Sequence, residues 1–241
     1  MNKEREKKIL ETVLIQKKVY VKELARKLFA SEPSIRRDLV SLEKQGLIKR
    51  FHGGAMIEEN DSSAMKIPFV IRELEQSDAK IIMAKKAIEL VKDGDVIFID
   101  ASSSAYNIIP YLPLRQNLTV ITSGVKALSK LAEYGIKTIC TGGELLASCL
   151  SLVGDESYAT ICDTNADIAF FSCRGLSSDG ILTDISYGEN MVRRRMIANS
   201  KKSYLLCASD KIGKKYSHTL CTADDITGII CEEDLPHNLR K

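Results

Sequence analysis

The chain has 241 residues, 44% of them hydrophobic and 28% charged, so it is longer than one average domain and has an ordinary globular composition. No apolar run reaches the roughly 18 residues of a membrane span. The charged start MNKEREKKIL lacks the apolar stretch of a signal peptide. A two-domain cytoplasmic protein with no membrane partner is therefore expected.

The net charge of +3 hides an asymmetry. Residues 1–55 hold 14 basic and 7 acidic side chains, and the rest of the chain holds 21 and 25. A basic head on a mildly acidic body is the electrostatic footprint of a phosphate-backbone binder, although solvated helices are also often lysine-rich. The seven cysteines all fall between Cys140 and Cys231. An odd number with no C-x-x-C pair argues against a disulfide framework or a zinc site, so reduced core thiols and no metal are expected.

In chain order, Lys3–Gln16 places Ile9, Leu10, Val13 and Leu14 at helical spacing, and Val21–Leu28 does the same with Leu24, Ala25 and Leu28. Phe29-Ala30-Ser31 has the character of a turn. Ser31 is a candidate N-cap for a third helix that begins Glu32-Pro33 and runs to about Gln45, where Gly46 stops it. Leu47–Phe51 and the turn His52-Gly53-Gly54-Ala55 then suggest a two-stranded wing. These elements make a small winged helix-turn-helix over residues 1–57. A stretch without periodicity at 58–72 reads as a linker, and 73–241 as a second domain.

That second part alternates apolar runs with amphipathic ones. VIFID (96–100), LTVIT (118–122), IKTICT (136–141), ADIAFFS (166–172), SYLLCA (203–208) and ITGIIC (226–231) are the expected strands. Helices are expected near 78–92, 103–112, 124–134 and 187–200. The fold class is α/β, with a mostly parallel sheet covered on both faces.

Candidate functional residues follow from this layout. In a helix-turn-helix the second helix enters the major groove with its first turns near the base edges. Ser31, Ser34, Arg36 and Arg37 occupy that position, and Lys49, Arg50 and His52 lie on the wing. Arginine grips guanine O6/N7 or clamps a phosphate. Asp38 can pair with one of the two arginines or with the wing. A charged helix pair serving as a protein–protein module would show the same pattern.

In the body, Asp100-Ala101-Ser102-Ser103-Ser104 follows a strand and opens a helix, where hydroxyls, free N–H groups and the helix dipole suit an anion. Thr141-Gly142-Gly143-Glu144 follows another strand, and paired glycines allow close backbone approach. Lys211, in Ser209-Asp210-Lys211-Ile212-Gly213, is offered at the same end. Such loops gather at one crevice in open α/β sheets.

VYVKELARKLFASEPSIRRDLVSLEKQGLIKRFHGGA resembles the winged helix-turn-helix of the DeoR family of bacterial transcriptional regulators, in its I-R-R-D-L core, its L-E-K-Q-G turn and its R-x-H-G-G-A wing. Phe29 departs from it, standing where glycine is usual. From about Ile67 to Cys231 the body resembles the DeoR-type sensor domain, whose fold is similar to ribose-5-phosphate isomerase. The resemblance implies a double-stranded DNA operator and a phosphorylated sugar or sugar-derived effector. It implies effector contacts at Asp100, Ser102, Ser103, Ser104, Gly142, Gly143, Glu189 and Lys211. Two departures stand out: Thr122-Ser123-Gly124 replaces a usual T-N-S, and Cys173-Arg174-Gly175 replaces a stretch with a small or acidic residue. Arg174 either adds an anion contact or pairs with a carboxylate such as Asp184.

The expected function is a sequence-specific regulator, a repressor of a carbohydrate operon, that uses no cofactor and is not an enzyme. It would act as a homo-oligomer, a dimer or tetramer, so that two heads read two half-sites. The alternative is a sugar-phosphate isomerase-like enzyme with a fused head, since an Asp, a Glu and a Lys around a phosphate cradle could move protons. A fused reading head argues that the pocket reports rather than turns over.

Overall fold

The computed structural model describes residues 3–57 and 68–239, and the chain divides into two compact units between Glu75 and Gln76. The first unit holds α1 (Lys3–Gln16), β1 (Lys18–Tyr20), α2 (Val21–Lys27), α3 (Glu32–Lys44), β2 (Lys49–Phe51), β3 (Gly54–Met56) and α4 (Phe69–Leu74). Ile9, Leu10, Val13, Leu24, Ile35, Leu39 and Leu42 are buried in one cluster, so the helical periodicity of the sequence corresponds to the core face. The two expected wing strands, β2 and β3, form, and the sheet gains a third that the sequence did not announce: β1 pairs with β3, which lies between β1 and β2 and is antiparallel to both. Gly54 is required there, because a Cβ would lie 2.2 Å from the Val19 carbonyl oxygen.

The linker expected over 58–72 differs from what is found. Its residues 58–67 lie outside the described ones, but from Phe69 the chain is helical, and Ile71 joins the core of the first unit.

The second unit is built on six parallel strands: β4 (Val96–Ile99), β5 (Thr119–Thr122), β6 (Lys137–Cys140), β9 (Ala166–Phe171), β12 (Ser200–Leu206) and β14 (Gly228–Ile230). All six expected runs form strands. Their spatial order is β14-β12-β9-β4-β5-β6, so the chain winds outward from β4 in one direction and then from β9 in the other. Side chains alternate between faces, as a strand's period of two requires. Ile97, Ile99, Val120, Ile168 and Phe170 pack on one face with α5 (Ser77–Ile88) and α7 (Val125–Glu133). Phe98, Ile121 and Ala169 pack on the other with α8 (Asp155–Cys162) and α9 (Tyr187–Ala198).

The sequence missed several short elements: the hairpin of β7 (Glu144–Leu146) and β8 (Ser151–Val153), the helix α8, and an antiparallel sheet of β10 (Gly175–Leu176), β11 (Ile181–Asp184) and β13 (His218–Thr222). The helix expected over 103–112 is broken into a four-residue α6 (Ser103–Tyr106) and a 3-10 turn at Ile109–Leu114, where Pro110 and Pro113 interrupt the α ladder.

All seven cysteines are free thiols. Cys140 and Cys162 depart from the expected core position and are exposed, Cys140 because β6 is an edge strand and Cys162 at the end of α8. Among the described residues no helix is long and apolar enough to cross a membrane.

Candidate functional site

In the first unit, α3 turns Ile35, Leu39 and Leu42 inward and leaves Arg36 and Arg37 exposed. The two arginines have different partners. Arg36 Nη2 lies 3.3 Å from Glu32 one turn earlier, whereas Arg37 Nη2 donates to the hydroxyl of Ser34 at 3.3 Å. Ser31 is the N-cap residue, but its side chain makes no capping bond. Its hydroxyl meets that of Ser34 at 2.9 Å. On the wing Lys49, Arg50 and His52 are exposed, with Arg50 Nε held 2.9 Å from Glu43.

Asp38 pairs with neither neighbouring arginine nor the wing. It is buried and accepts from the guanidinium of Arg5 on α1, one contact being 3.2 Å. The turn before α3 departs from glycine at a price in backbone freedom: Phe29 has φ +49° and is 97% exposed.

In the second unit the winding direction reverses between β4 and β9, and ligands of such sheets bind outside the carboxyl ends of the strands at that point. Asp100 leaves β4 there, 1% exposed. Its Oδ1 accepts from the Ser102 N–H at 3.1 Å and from the Ser102 hydroxyl, and its Oδ2 from the Ser172 N–H at 3.4 Å. The same Oδ2 accepts from Arg193 Nε at 2.8 Å.

Arg193 is the hub of this end. Its Nη1 donates to Asp184 Oδ2 at 2.8 Å, and its Nη2 lies 3.6 Å from Glu189 Oε1. Three buried carboxylates thus surround one buried guanidinium. Burial works to lower the Arg193 pKa, but Asp184, Asp100 and Glu189 together raise it well above the ordinary range. Burial likewise works to raise the Asp184 carboxyl; Arg193, the Ile185 N–H and Arg174 outweigh it and hold it below the usual carboxylate range.

The remaining expected residues lie in the segments that follow β4, β6, β9 and β12. Lys211 Nζ donates to the Ser172 hydroxyl and the Cys173 carbonyl, both at 2.9 Å, which brings it to the end of β9. Ser103 and Ser104 are buried at the start of α6, and Ser102 caps it by accepting from the Ala105 N–H at 3.2 Å. The expected help from a helix dipole is a correction: α6 has only four residues, too few for a macrodipole to build up. Gly142 and Gly143 have φ of +72° and +102°, and a Cβ on Gly143 would lie 2.2 Å from the Val153 carbonyl oxygen. Arg174 is half-buried with Nε 3.9 Å from Asp184 Oδ1, the local carboxylate that the sequence offered as its partner.

Sequence reasoning missed Arg193, because it is the first of three consecutive arginines. The available signal was spacing: Glu189, Arg193 and Met196 share a helical face with the buried Val192. Cys173 is no nucleophile, since burial pushes its thiol up to about 11. Among the described residues no cluster of His, Cys, Asp or Glu could hold a metal ion.

Comparison with known proteins fits both units. Residues 5–61 match the model of the DeoR-like helix-turn-helix domain, and residues 75–233 that of the DeoR C-terminal sensor domain. The transcriptional regulator GolR of Listeria innocua is 32% identical over 240 residues, covering 99% of this chain and 93% of its own. The L-fucose operon activator of Haemophilus influenzae is 32% identical, covering 98% and 94%. The glycerol-3-phosphate regulon repressor of Escherichia coli is 30% identical over 207 residues, covering 86% and 81%.

Among solved structures, the translation initiation factor eIF-2B of Pyrococcus horikoshii is 14% identical with a TM-score of 0.51, covering 96% of this chain and 90% of that one. That likeness is one of fold alone. Ribose 5-phosphate isomerase A of Methanocaldococcus jannaschii covers 57% of this chain and 55% of its own at 21% identity, with a TM-score of 0.44.

Proposed function

The chain belongs to the DeoR family of DNA-binding transcriptional regulators, and from that premise we propose that it represses a carbohydrate-metabolism operon under the control of a phosphorylated sugar or related metabolite. The reading is carried by the union, in one chain, of a basic helix-turn-helix head and a sensor unit whose winding reverses beside a buried cluster of Asp100, Asp184, Glu189 and Arg193. The head reads double-stranded DNA through Ser31, just before α3, and Ser34, Arg36 and Arg37 on it, with Lys49, Arg50 and His52 of the wing on the backbone. Exposure of the four cationic groups on one small unit supports this.

The effector lies against Asp100, Ser102, Ser103, Ser104, Gly142, Gly143, Glu189 and Lys211. Lys211 carries three N–H donors and supplies the positive charge for a phosphate, with Arg174 as a second cation. A homo-oligomer brings two heads to two half-sites, and the effector shifts the balance between arrangements that do and do not fit the operator. The working place is the cytoplasm. Relatives include an activator as well as a repressor, so the sign of control is the finer part of the proposal.

An isomerase-like role is disfavoured by the hub itself. Asp100 and Asp184 are both bound by Arg193 and by backbone N–H groups, which fixes them as supports rather than as groups that exchange protons with a substrate.

The test is thermal stability against phosphorylated sugars, each paired with its unphosphorylated form. A ligand at 100 times its Kd stabilises the folded state by about 2.7 kcal/mol, which is readable as a melting shift. A shift confined to phosphorylated compounds, followed by a change in DNA affinity with the same compound, is the expected result. A flat response across the panel would remove the sensor reading.

A further inference from the structure

The turn between α2 and α3 closes in the Schellman manner: the Phe29 N–H donates to the Arg26 carbonyl at 3.5 Å and the Ala30 N–H to the Ala25 carbonyl at 3.0 Å. Phe29 thereby follows the C-cap Leu28 in the left-handed region, with φ +49°, a place that suits glycine. The bonds on either side hold the backbone there, so the local fold asks for glycine and receives phenylalanine. The ring is 97% exposed and gains no packing within the unit. A large apolar side chain held out on a strained backbone calls for a contact made outside the chain.

Its position says which contact. Phe29 shares one groove with Ser31 and Ser34. The Ser31 hydroxyl meets that of Ser34 at 2.9 Å, and Arg37 Nη2 donates to the Ser34 hydroxyl at 3.3 Å. Phe29, Ser31, Ser34 and Arg37 therefore form a continuous row from the turn onto the exposed side of α3. In a helix-turn-helix the first turns of the second helix stand near the base edges of the major groove. The apolar feature of those edges is the 5-methyl group of thymine.

A protein partner suits the ring less well. One aromatic side chain buries about 150–250 Å². Even with Ile15, 81% exposed on the α1 wall of the groove, the apolar area falls far short of the roughly 800 Å² on each side of a stable protein interface.

We propose that Phe29 is a specificity-determining residue of the head, its ring packing on the methyl group of a thymine in each operator half-site. The inference rests on the reading of α3 as the DNA-contacting helix, and it assigns the turn a role that the family resemblance, with glycine there, does not. Contact with a methyl group is uncharged, so it adds sequence preference and leaves the number of neutralised phosphates unchanged. Losing one methyl-sized apolar contact corresponds to about fourfold in affinity.

The experiment compares the full chain with Phe29→Gly and Phe29→Leu. Duplexes that the full chain selects from a random pool are remade with each thymine replaced in turn by deoxyuridine, which removes the methyl and keeps the pairing. The parent is expected to bind about fourfold more weakly when one particular thymine of each half-site is replaced. Phe29→Gly should bind the thymine and uracil duplexes equally. Phe29→Leu, which keeps an apolar side chain, should retain part of the discrimination. All three should share one salt slope, and Phe29→Gly should melt no lower than the parent.

Equal sensitivity to uracil in the parent and Phe29→Gly would overturn the inference and leave the DNA reading of α3 standing. A parent indifferent to every uracil would do the same. Weaker binding by Phe29→Gly that ignores the methyl would overturn it by placing the ring on a sugar, and a lower melting temperature by placing the ring within the unit. Dissociation of the parent's oligomer in Phe29→Gly, followed by sedimentation without DNA, would overturn it by assigning the ring to a second copy. Selection of no duplex by the parent would remove the DNA reading itself.

Discussion

Arg193 Nε lies 2.8 Å from Asp100 Oδ2, joining two residues 93 apart in the chain, and the pair is almost wholly buried at 4% and 1% side-chain exposure. One guanidinium thereby fastens α9 to the loop after β4 and, through Asp184, to the end of β11. Removing one partner of a buried ion pair costs about 3–5 kcal/mol, because the other charge is left without compensation. Arg193→Met takes the guanidinium from three buried carboxylates, Asp100, Asp184 and Glu189. It is expected to shift urea unfolding of the second unit by about that amount, with the helical transition of the first unit unchanged. Circular dichroism separates the two, and an unchanged midpoint would show that the pair adds nothing to stability.

Gly142 and Gly143 differ in what a side chain would meet. Both have positive φ, which costs a non-glycine residue about 1–2 kcal/mol. A Cβ on Gly142 finds only Glu156 at 3.9 Å, but one on Gly143 meets the backbone oxygen of Val153 at 2.2 Å. Gly142→Ala should therefore lower stability by about 1 kcal/mol. Gly143→Ala should cost at least twice that, about 2 kcal/mol or more, since β8 must move. Equal losses in chemical denaturation would mean that β8 yields freely.

The same contrast between local pattern and long-range contact decides what the sequence disclosed. β4, β5 and β9 were legible because β-branched and aromatic runs bury both faces, and α1 because Ile9, Leu10 and Val13 recur at helical spacing. The helix α8, DESYATIC, buries only Ser157 and Ile161, so it carries no apolar stripe to detect. β10 and β11 have two and four residues, too few to show alternation. At the site, Asp100 and Lys211 could be read from their places after strands. Three adjacent arginines could not be told apart, yet they do different things. Arg193 holds carboxylates, Arg194 Nε donates to the Leu220 carbonyl at 2.8 Å, and Arg195 lies 4.0 Å over the Tyr158 ring. Asp38 was misjudged for the same reason, its partner Arg5 being on another helix.

Acid should loosen the second unit through Asp184. Its folded pKa is depressed, so the stability it contributes is complete above the unfolded aspartate value of about 3.9 and is lost as pH falls through the folded value. Melting temperature is expected to hold from neutral pH down to the carboxylate range and then to drop. Asp184→Asn should start lower and show a shallower drop over the same range. Parallel curves for the two proteins would assign the acid limb to other carboxylates.

Phe29 holds φ +49° with its ring 97% exposed, so its side chain gains little packing in return for the strained backbone. The left-handed conformation costs a non-glycine residue about 1–2 kcal/mol, and glycine returns about 0.5–1 kcal/mol of that through its freer unfolded chain. Phe29→Gly should stabilise the first unit by up to about 1 kcal/mol in thermal unfolding. Destabilisation would show that the ring has a packing role in solution.

Arg36 and Arg37 are adjacent but should not be equivalent on DNA. Arg37 is two residues, about 200° of helix, from the inward Ile35, whereas Arg36 is turned only about 100° and is tied to Glu32. An exposed pair of that kind is worth only about 0.3–0.5 kcal/mol, so orientation rather than the tie separates the two. Arg37→Ala is expected to weaken binding by about 1–3 kcal/mol, and Arg36→Ala by less. The probe is the set of duplexes that the parent chain selects from a random pool, titrated at several salt concentrations. If Arg37 clamps a phosphate, its loss lowers the salt slope by about 1 and leaves sequence preference intact. If it reads a base, the slope stays and preference at one position of each half-site relaxes. Equal losses for the two arginines would place the groove-facing side of α3 between them, with both at its edges.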